Sequence, residues 1–210
     1  MLTHGVFVTG TDTDVGKTVT AACLVWALGA DYWKPVQTGR DLDDDAATVA
    51  DLTGLPPDRI HPSTYSLLAP LSPHAAAGME GVTIRLDTFM PPPGANPLVV
   101  EGAGGVLVPL NERHLMVDLM VLLGLPVVLV ARSTLGTINH TLLSLEALRQ
   151  RKLTVAGVIL NGPPNPSNRH AIETYGRIPI LGEIPPMEPI DALTAATVGA
   201  SLRNAVQTLW

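Results

Sequence analysis

The sequence predicts a three-layer α/β domain in which helices cover both faces of a mainly parallel sheet. Segments of strand and helix character alternate along most of the chain, which is the order found in parallel sheets with crossover helices. The predicted strands are apolar at successive positions, as expected for strands that are buried on both faces. Since such domains bind ligands at the carboxyl ends of their strands, the residues that follow each strand are the first candidates for function.

Local patterns support each element in turn. Short apolar, often β-branched runs predict strands at residues 5–9, 33–36, 97–100, 106–109, 127–131, 155–160 and 178–181. Apolar residues at helical spacing predict helices at 19–28, 45–52, 116–123, 138–151, 168–175 and 190–209. Asp43 or Asp44 is placed to cap the second of these helices. Residues 55–97 are rich in proline, and only short helical pieces are predicted there, around Ala75 and Leu86.

Composition excludes several classes of protein. The 210 residues are 46% apolar and 15% charged, which argues against disorder and fits one domain over residues 1–210. With a net charge of −6, no nucleic-acid partner is expected.

The longest apolar run, 119–131, is interrupted by Gly124 and Pro126 and is shorter than the roughly 18 residues of a membrane helix. The first residues lack the pattern of a signal peptide, and Cys23 is the single cysteine, so we expect a cytoplasmic protein without disulfides.

The strongest functional signal is GTDTDVGKT at residues 10–18, between the first predicted strand and the first predicted helix. The backbone amides of such a loop bind phosphate, Lys17 would reach the β- and γ-phosphates, and Thr18 would offer its hydroxyl to Mg2+. The usual G-x4-G-K-[ST] spacing would place a glycine at Thr11, whereas the glycine here is Gly10. A chance G-K-T in a glycine turn is the alternative to a P-loop NTPase-like fold.

Two further segments follow predicted strands at the same edge of the sheet. EGAGG at residues 101–105 places Glu101 where a P-loop protein has its second protein ligand to Mg2+. KPVQTG at residues 34–39 places Lys34 on the rim, where it would add positive charge near a transferring phosphoryl group. A solvated glutamate and a surface lysine are the ordinary alternatives. One of the three acids at 43–45 could also serve a metal site, although a solvated helix cap is the commoner role.

Asn161 ends another predicted strand, just before Gly162. Its amide could donate to and accept from an adenine edge, or it could simply belong to a turn. The N-K-x-D box that reads guanine is absent from the sequence, which favours ATP over GTP. The six histidines do not have the H-x-E or H-x3-H spacing of zinc ligands, so the expected metal is Mg2+.

Together these motifs closely resemble those of the dethiobiotin synthetases, the ATP-dependent carboxylase-cyclases of biotin synthesis. The matching segments are GTDTDVGKT at 10–18, KPVQTG at 34–39, SPHAAA at 72–77, VEGAGG at 100–105, LGTINHTLLSLEAL at 135–148, Asn161 and LGEIP at 181–185. The longer spacing between the loop glycines is the form found in that family. The resemblance implies that 7,8-diaminononanoate, CO2 and ATP are converted to dethiobiotin, ADP and phosphate with Mg2+, through a carbamate and a carbamic–phosphoric anhydride.

The resemblance also implies roles for individual residues. Lys17 and Lys34 would be catalytic, and Thr18, Asp45 and Glu101 would hold Mg2+. Asp45 is chosen among the three acids because the family's acid precedes an alanine, as Asp45 does. The implied ATP-binding residues are Thr13, Asp14, Val15, Gly16, Lys17, Thr18, Val19, Asp45, Glu101, Gly102, Ala103, Gly104, Asn161, Gly162, Pro185, Pro186 and Met187. The implied substrate-binding residues are Thr38, Leu135, Gly136, Thr137, Ile138 and Asn139.

A homodimer is implied as well, because in the resembled family the substrate carboxylate reaches the helix end at 135–139 of the partner subunit. An ordinary helix capped by Thr137, with no ligand, is the alternative for this segment. Two other functions remain open at this stage. A P-loop switch ATPase of the partition or metallocentre-assembly type usually has an extra lysine early in the loop, where this chain has Thr11 or Asp12. A small-molecule kinase usually has a lid bearing arginines, and no arginine cluster is visible in the sequence.

Overall fold

The computed structural model describes residues 4–42 and 44–207. Strands and helices alternate through these residues, as the sequence predicts. In chain order they are β1 (Gly5–Gly10), α1 (Lys17–Leu28), β2 (Asp31–Trp33), β3 (Val36–Gln37), α2 (Asp45–Thr53), β4 (Ile60–His61), β5 (Tyr65–Ser66), α3 (Pro73–Met79), β6 (Leu98–Gly105), α4 (Met116–Leu123), β7 (Val127–Arg132), α5 (Thr137–Gln150), β8 (Val155–Asn161), α6 (Pro166–Gly176), β9 (Ile180–Ile184) and α7 (Ala192–Val206). Short 3-10 turns occur at Pro57–Arg59 and Leu86–Thr88.

Seven of these strands form one parallel sheet in the order β4-β2-β6-β1-β7-β8-β9, and β3 pairs with β5 beside it. Side chains of β1 point alternately to two separate cores: Phe7 enters one, and Val6 and Val8 enter the other. Helices α1, α2 and α7 cover the Val6 side, whereas α3, α4, α5 and α6 cover the Phe7 side. The predicted three-layer fold with a parallel sheet is therefore confirmed.

The strand predicted at 33–36 is wrong in its position. The sheet strand β2 ends at Trp33, and a separate short strand, β3, begins at Val36. Pro35 lies between them, and proline has no N–H to donate to a sheet ladder. The chain therefore leaves the main sheet there, with Lys34 at the carboxyl end of β2.

The extended piece predicted at 106–109 is also wrong, because these residues form a turn after β6, with an isolated bridge between Pro109 and Leu115. Strand β6 instead continues through the glycines to Gly105, which pairs with Gly10 of β1. Glycine has a low strand propensity, so the sequence pattern ends too early, at Glu101. Pairing with the central strand overrides that propensity.

Helix ends agree with the predictions to within a few residues. Asp44 caps α2, since its carboxylate accepts hydrogen bonds from the backbone N–H groups of Ala46 and Ala47 at 3.0 and 3.2 Å. Asp43, the other predicted cap, lies outside the described residues, as do residues 208–210. Every helix in the described ranges is too short or too polar to cross a membrane.

Candidate active site

The loop between β1 and α1 has the conformation that a phosphate-binding loop needs. Gly16, just before α1, has a φ of 88°, in the left-handed region that glycine adopts without strain. A Cβ on Gly16 would lie 1.8 Å from Nδ2 of Asn161, so any other residue would displace the Asn161 side chain. Because β1 is the central strand, the amides of this loop and the N-terminus of α1 lie in the middle of the carboxyl edge of the sheet, where an anion is favoured.

Lys17 is buried and turns back over this loop. Its ammonium donates to the carbonyl oxygen of Asp12 at 3.0 Å. Burial lowers the pKa of Lys17, although the negative charge of Glu101 opposes the shift. A positive charge in such a water-poor position interacts strongly with an anion placed next to it.

Beside the loop lies a cluster of four polar or charged side chains from separate parts of the chain: Thr18, Lys34, Asp45 and Glu101. The Lys34 ammonium makes a short hydrogen-bonded ion pair with Asp45 Oδ2 and lies 3.2 Å from Glu101 Oε1. The Thr18 hydroxyl contacts Asp45 Oδ1 closely and lies 3.0 Å from Glu101 Oε1. The side chain of Glu101 is fully buried, and that of Lys34 is 7% exposed. The predicted surface lysine and solvated glutamate are therefore both excluded as alternatives.

Mutual attraction favours the charged forms of Lys34 and Asp45. Burial acts to lower the pKa of Lys34, but the negative charges of Glu101 and Asp45 outweigh it and raise that pKa above its usual value. Burial acts to raise the pKa of Asp45, but the charge of Lys34 and hydrogen bonds from Lys34, Thr18 and Gln37 hold it below its usual value. A charged Lys34 beside an ionised Asp45 is thus present at neutral pH.

A cavity of about 740 Å³ opens onto both the loop and the charged cluster. Half of the implied catalytic, ATP-binding and substrate-binding residues line it, namely Thr13, Asp14, Gly16, Lys17, Thr18, Val19, Lys34, Thr38, Asp45, Glu101, Ala103 and Gly104. Val15 does not, because it is buried in the core on the α1 side. Gly102 also faces the core, since a Cβ there would meet the ring of Phe7 at 2.9 Å. Residues that the sequence did not single out for the site also line the cavity, among them Pro70, Leu71 and Val108.

The implied ATP-binding residues Asn161, Gly162 and 185–187 lie on the other side of the loop, at the ends of β8 and β9. Asn161 donates from Nδ2 to the carbonyl of Val15 at 3.0 Å, so it supports the back of the phosphate loop. Gly162 donates its N–H to the carbonyl of Ile184 at 2.9 Å, which joins this turn to the segment 185–187. The structure thus brings Asn161, Gly162 and the 185–187 segment together, as their positions on adjacent strands predict.

The remaining implied substrate residues, 135–139, form the start of α5 and do not line the cavity within the described chain. Thr137 does not cap the helix: Gly136 occupies the cap position with a φ of 93° and no side-chain hydrogen bond. The Thr137 hydroxyl is buried against that of Thr141, whereas Leu135 is 99% exposed. An uncapped, exposed helix N-terminus therefore lies apart from the charged cluster.

Comparison with known proteins agrees with this arrangement. The profile of the AAA domain family matches residues 4–194. The ATP-dependent dethiobiotin synthetase of Paramagnetospirillum magneticum is 56% identical over 195 residues, which cover 93% of either chain. That of Afipia carboxidovorans is 50% identical, covering 91% of this chain and 92% of the relative. The chain belongs to the dethiobiotin synthetase family.

Another protein that is similar in sequence to this chain is much longer. The biotin biosynthesis bifunctional protein of Bordetella avium is 60% identical over 190 residues, which are 90% of this chain and 41% of that protein.

Solved structures with the same fold are nucleotide-binding ATPases of other families. The cell division ATPase MinD of Pyrococcus furiosus aligns with a TM-score of 0.56 at 16% identity, covering 98% of this chain and 99% of that one. A ParA family ATPase of Chlorobium tepidum aligns with a TM-score of 0.53 at 15% identity, covering 99% and 94%. At such low identity these neighbours show the P-loop NTPase fold and nothing about activity.

Proposed function

We propose that this protein catalyses the ATP-dependent carboxylation and ring closure of 7,8-diaminononanoate to dethiobiotin. The observation that carries the proposal is the single cavity shared by the phosphate loop and the Lys34–Asp45–Glu101 cluster. A carboxylation driven by phosphoryl transfer needs both parts side by side, because the carbamate oxygen must lie in line with the γ-phosphorus. The sequence relatives are named as ATP-dependent dethiobiotin synthetases. These names support this reaction over the function of a P-loop switch ATPase.

The chemistry requires no covalent intermediate on the protein. A neutral amine of the substrate adds to CO2 and loses a proton, giving a carbamate. The carbamate oxygen attacks the γ-phosphorus and ADP leaves. The second amine then attacks the carbamoyl carbon, the five-membered ureido ring closes, and phosphate leaves with a proton lost from nitrogen. Each step develops negative charge on oxygen, so fixed positive charges supply the catalysis.

Two lysines have different parts in this proposal. Lys17 follows the loop whose amides would hold the ATP phosphates, and its ammonium, now on the Asp12 carbonyl, would move to the β- and γ-phosphate oxygens. Lys34 lies deeper, held by Asp45 and Glu101. We assign it to the carbamate and to the charge that develops on the transferring phosphoryl group, while Thr38 on the cavity wall would hydrogen-bond the diamine.

Mg2+ fits the oxygen atoms of Thr18, Asp45 and Glu101. A hydroxyl donates one hydrogen, so the Thr18 hydroxyl can satisfy only one of its two carboxylate neighbours at a time. Hard oxygen ligands, few from the protein and the rest from phosphates and water, are what Mg2+ uses in nucleotide sites. Among residues 4–42 and 44–207 no group of three or more His, Cys, Asp or Glu side chains could bind a metal alone. When bound with ATP, the ion would neutralise phosphate charge.

We further propose that Asn161, Gly162 and residues 185–187 bind adenine, with the Asn161 amide oxygen accepting from the exocyclic amine. The N-terminus of α5 would bind the carboxylate of the substrate molecule that occupies the active site of a second subunit. This arrangement implies a homodimer. A single domain over residues 1–210 and a cytoplasmic location remain predictions from the sequence.

Mass spectrometry of the product tests the proposal directly. The purified protein is incubated with the diamine, bicarbonate, ATP and Mg2+, and dethiobiotin is the expected product, with one ADP formed per ring. Omission of the diamine or of bicarbonate should stop ADP release. ADP release that is indifferent to both compounds, without dethiobiotin, would instead favour a P-loop switch ATPase.

A further inference from the structure

Tyr32 lies directly behind the charged cluster, on a strand next to that of Glu101. Its side chain is fully buried among the residues packed under α1. Strand β2 pairs with β6, with Tyr32 opposite Val99, two residues before Glu101. The phenol hydroxyl donates to Glu101 Oε2 at 2.8 Å. This contact joins two fully buried polar side chains.

The two oxygens of Glu101 consequently have different surroundings. Oε2 faces the protein interior and accepts from Tyr32, whereas Oε1 faces Thr18 and Lys34 at 3.0 and 3.2 Å. A carboxylate with free rotation about its last bond could present either oxygen, or both, to the cavity. The phenol removes that freedom, because turning the carboxylate would break a buried hydrogen bond, at a cost of about 1–3 kcal/mol for the group left unsatisfied.

We propose that Tyr32 is a positioning residue that holds Glu101 with Oε1 directed at the metal–phosphate site. The inference rests on the proposed binding of Mg2+ by Glu101. Partners that orient a metal-binding side chain commonly change metal affinity by about 10- to 100-fold when removed. A tyrosine that merely filled the core would stabilise the fold without affecting the metal.

The test compares two tyrosines. Tyr32→Phe removes one buried oxygen and keeps the ring, and Tyr65→Phe is the matched control, since the Tyr65 hydroxyl pairs with Thr88 away from the cluster. Binding of Mn2+ to the ADP complex, followed by electron paramagnetic resonance, should weaken about tenfold in Tyr32→Phe and stay unchanged in the control. ADP affinity measured without metal should be the same in both. Equal Mn2+ affinity in wild type and Tyr32→Phe would overturn the inference.

Glu101→Gln separates this inference from the proposal on which it rests. If Glu101→Gln leaves Mn2+ affinity intact, Glu101 is not a metal ligand and both ideas fail. If Glu101→Gln weakens Mn2+ binding but Tyr32→Phe does not, only the positioning role fails. In the double variant, removal of the Tyr32 hydroxyl should add less than twofold, because the two residues act as a unit.

A measurement on the unsubstituted sequence covers the case in which Tyr32→Phe does not fold. The chain has three tyrosines, so 3-fluorotyrosine labelling gives three fluorine resonances. The Tyr65→Phe and Tyr175→Phe variants assign two of them, and Tyr32 follows by elimination. Adding Mg2+ to the ADP complex should shift the Tyr32 resonance more than the other two. An unmoved Tyr32 resonance would contradict the inference.

Discussion

The phosphate end of the cavity and the N-terminus of α5 are built in opposite ways. At the phosphate end, Lys34 and Glu101 are buried, and each polar group of the cluster already has a partner. At the start of α5, Leu135 is 99% exposed, and the helix cap makes no side-chain hydrogen bond. One region is organised by contacts within the chain, and the other is an exposed helix end without a side-chain cap. In the proposed reaction, the preorganised charges serve phosphoryl transfer, and the exposed helix end is assigned to the substrate tail of a second subunit.

Replacing Lys17 tests the preorganised region with the largest expected effect. Lys17→Ala removes a buried positive charge next to the phosphate loop. ATP affinity should therefore fall at least tenfold, which is about the effect of losing one hydrogen bond to a charged group. Turnover should be lost as well. Isothermal titration with ATP and a product assay measure both. Unchanged ATP affinity would show that the loop does not hold phosphate.

Lys34→Gln should separate catalysis from nucleotide binding. Its charge acts on groups that become negative during the reaction, so kcat should fall about 10²- to 10³-fold, while ATP affinity stays within about threefold. Lys152→Gln is the matched control, because Lys152 is exposed, and it should keep full activity. A kcat near that of the wild type in Lys34→Gln would remove Lys34 from the mechanism.

The neighbouring aspartates provide a smaller and sharper test. Asp45→Asn should raise the Mg2+ concentration needed for half-maximal activity about tenfold, since a neutral amide is a poorer ligand for a hard cation. Asp44→Asn is the control: asparagine caps helices as well as aspartate does, so α2 and the Mg2+ requirement should both be preserved. A larger effect of Asp44→Asn would show that Asp44, and not Asp45, is the aspartate that binds Mg2+.

Features with a strong local signal were the ones that could be predicted from the sequence. The glycines and Lys17 of the phosphate loop lie within a few residues of each other. Each buried strand is indicated by its own short run of apolar residues. Strand β6 was predicted too short because its last residues are glycines, and only pairing with β1 keeps them extended. The break at Pro35 is not predicted because the aromatic Tyr32 and Trp33 before it and the apolar Val36 after it have strand character.

The contacts that support the cluster and the loop from behind could not be predicted, because they join distant parts of the chain. Tyr32 and Glu101 are 69 positions apart, and a tyrosine in an apolar strand has the pattern of an ordinary core residue. Asn161 and Val15 are 146 positions apart, so the support that Asn161 gives to the loop has no local signature. In each case the order of strands in the sheet decides which residues meet.

The last prediction concerns the N-terminus of α5, which is proposed to bind the tail of the substrate held by a second subunit. Asn139 is exposed in the first turn of α5, where the helix dipole favours a carboxylate. Asn139→Asp adds a like charge beside that carboxylate, which should raise KM for the diamine about 2- to 10-fold, corresponding to roughly 0.5–1.4 kcal/mol, with ATP affinity and kcat nearly unchanged. Asn204→Asp, which adds the same charge to an exposed position of α7, should leave KM unaltered. Light scattering should give the mass of a dimer. Because the donors at this helix end lie away from the cavity of their own chain, a monomer with a normal KM in Asn139→Asp would mean that each chain binds the whole substrate by itself.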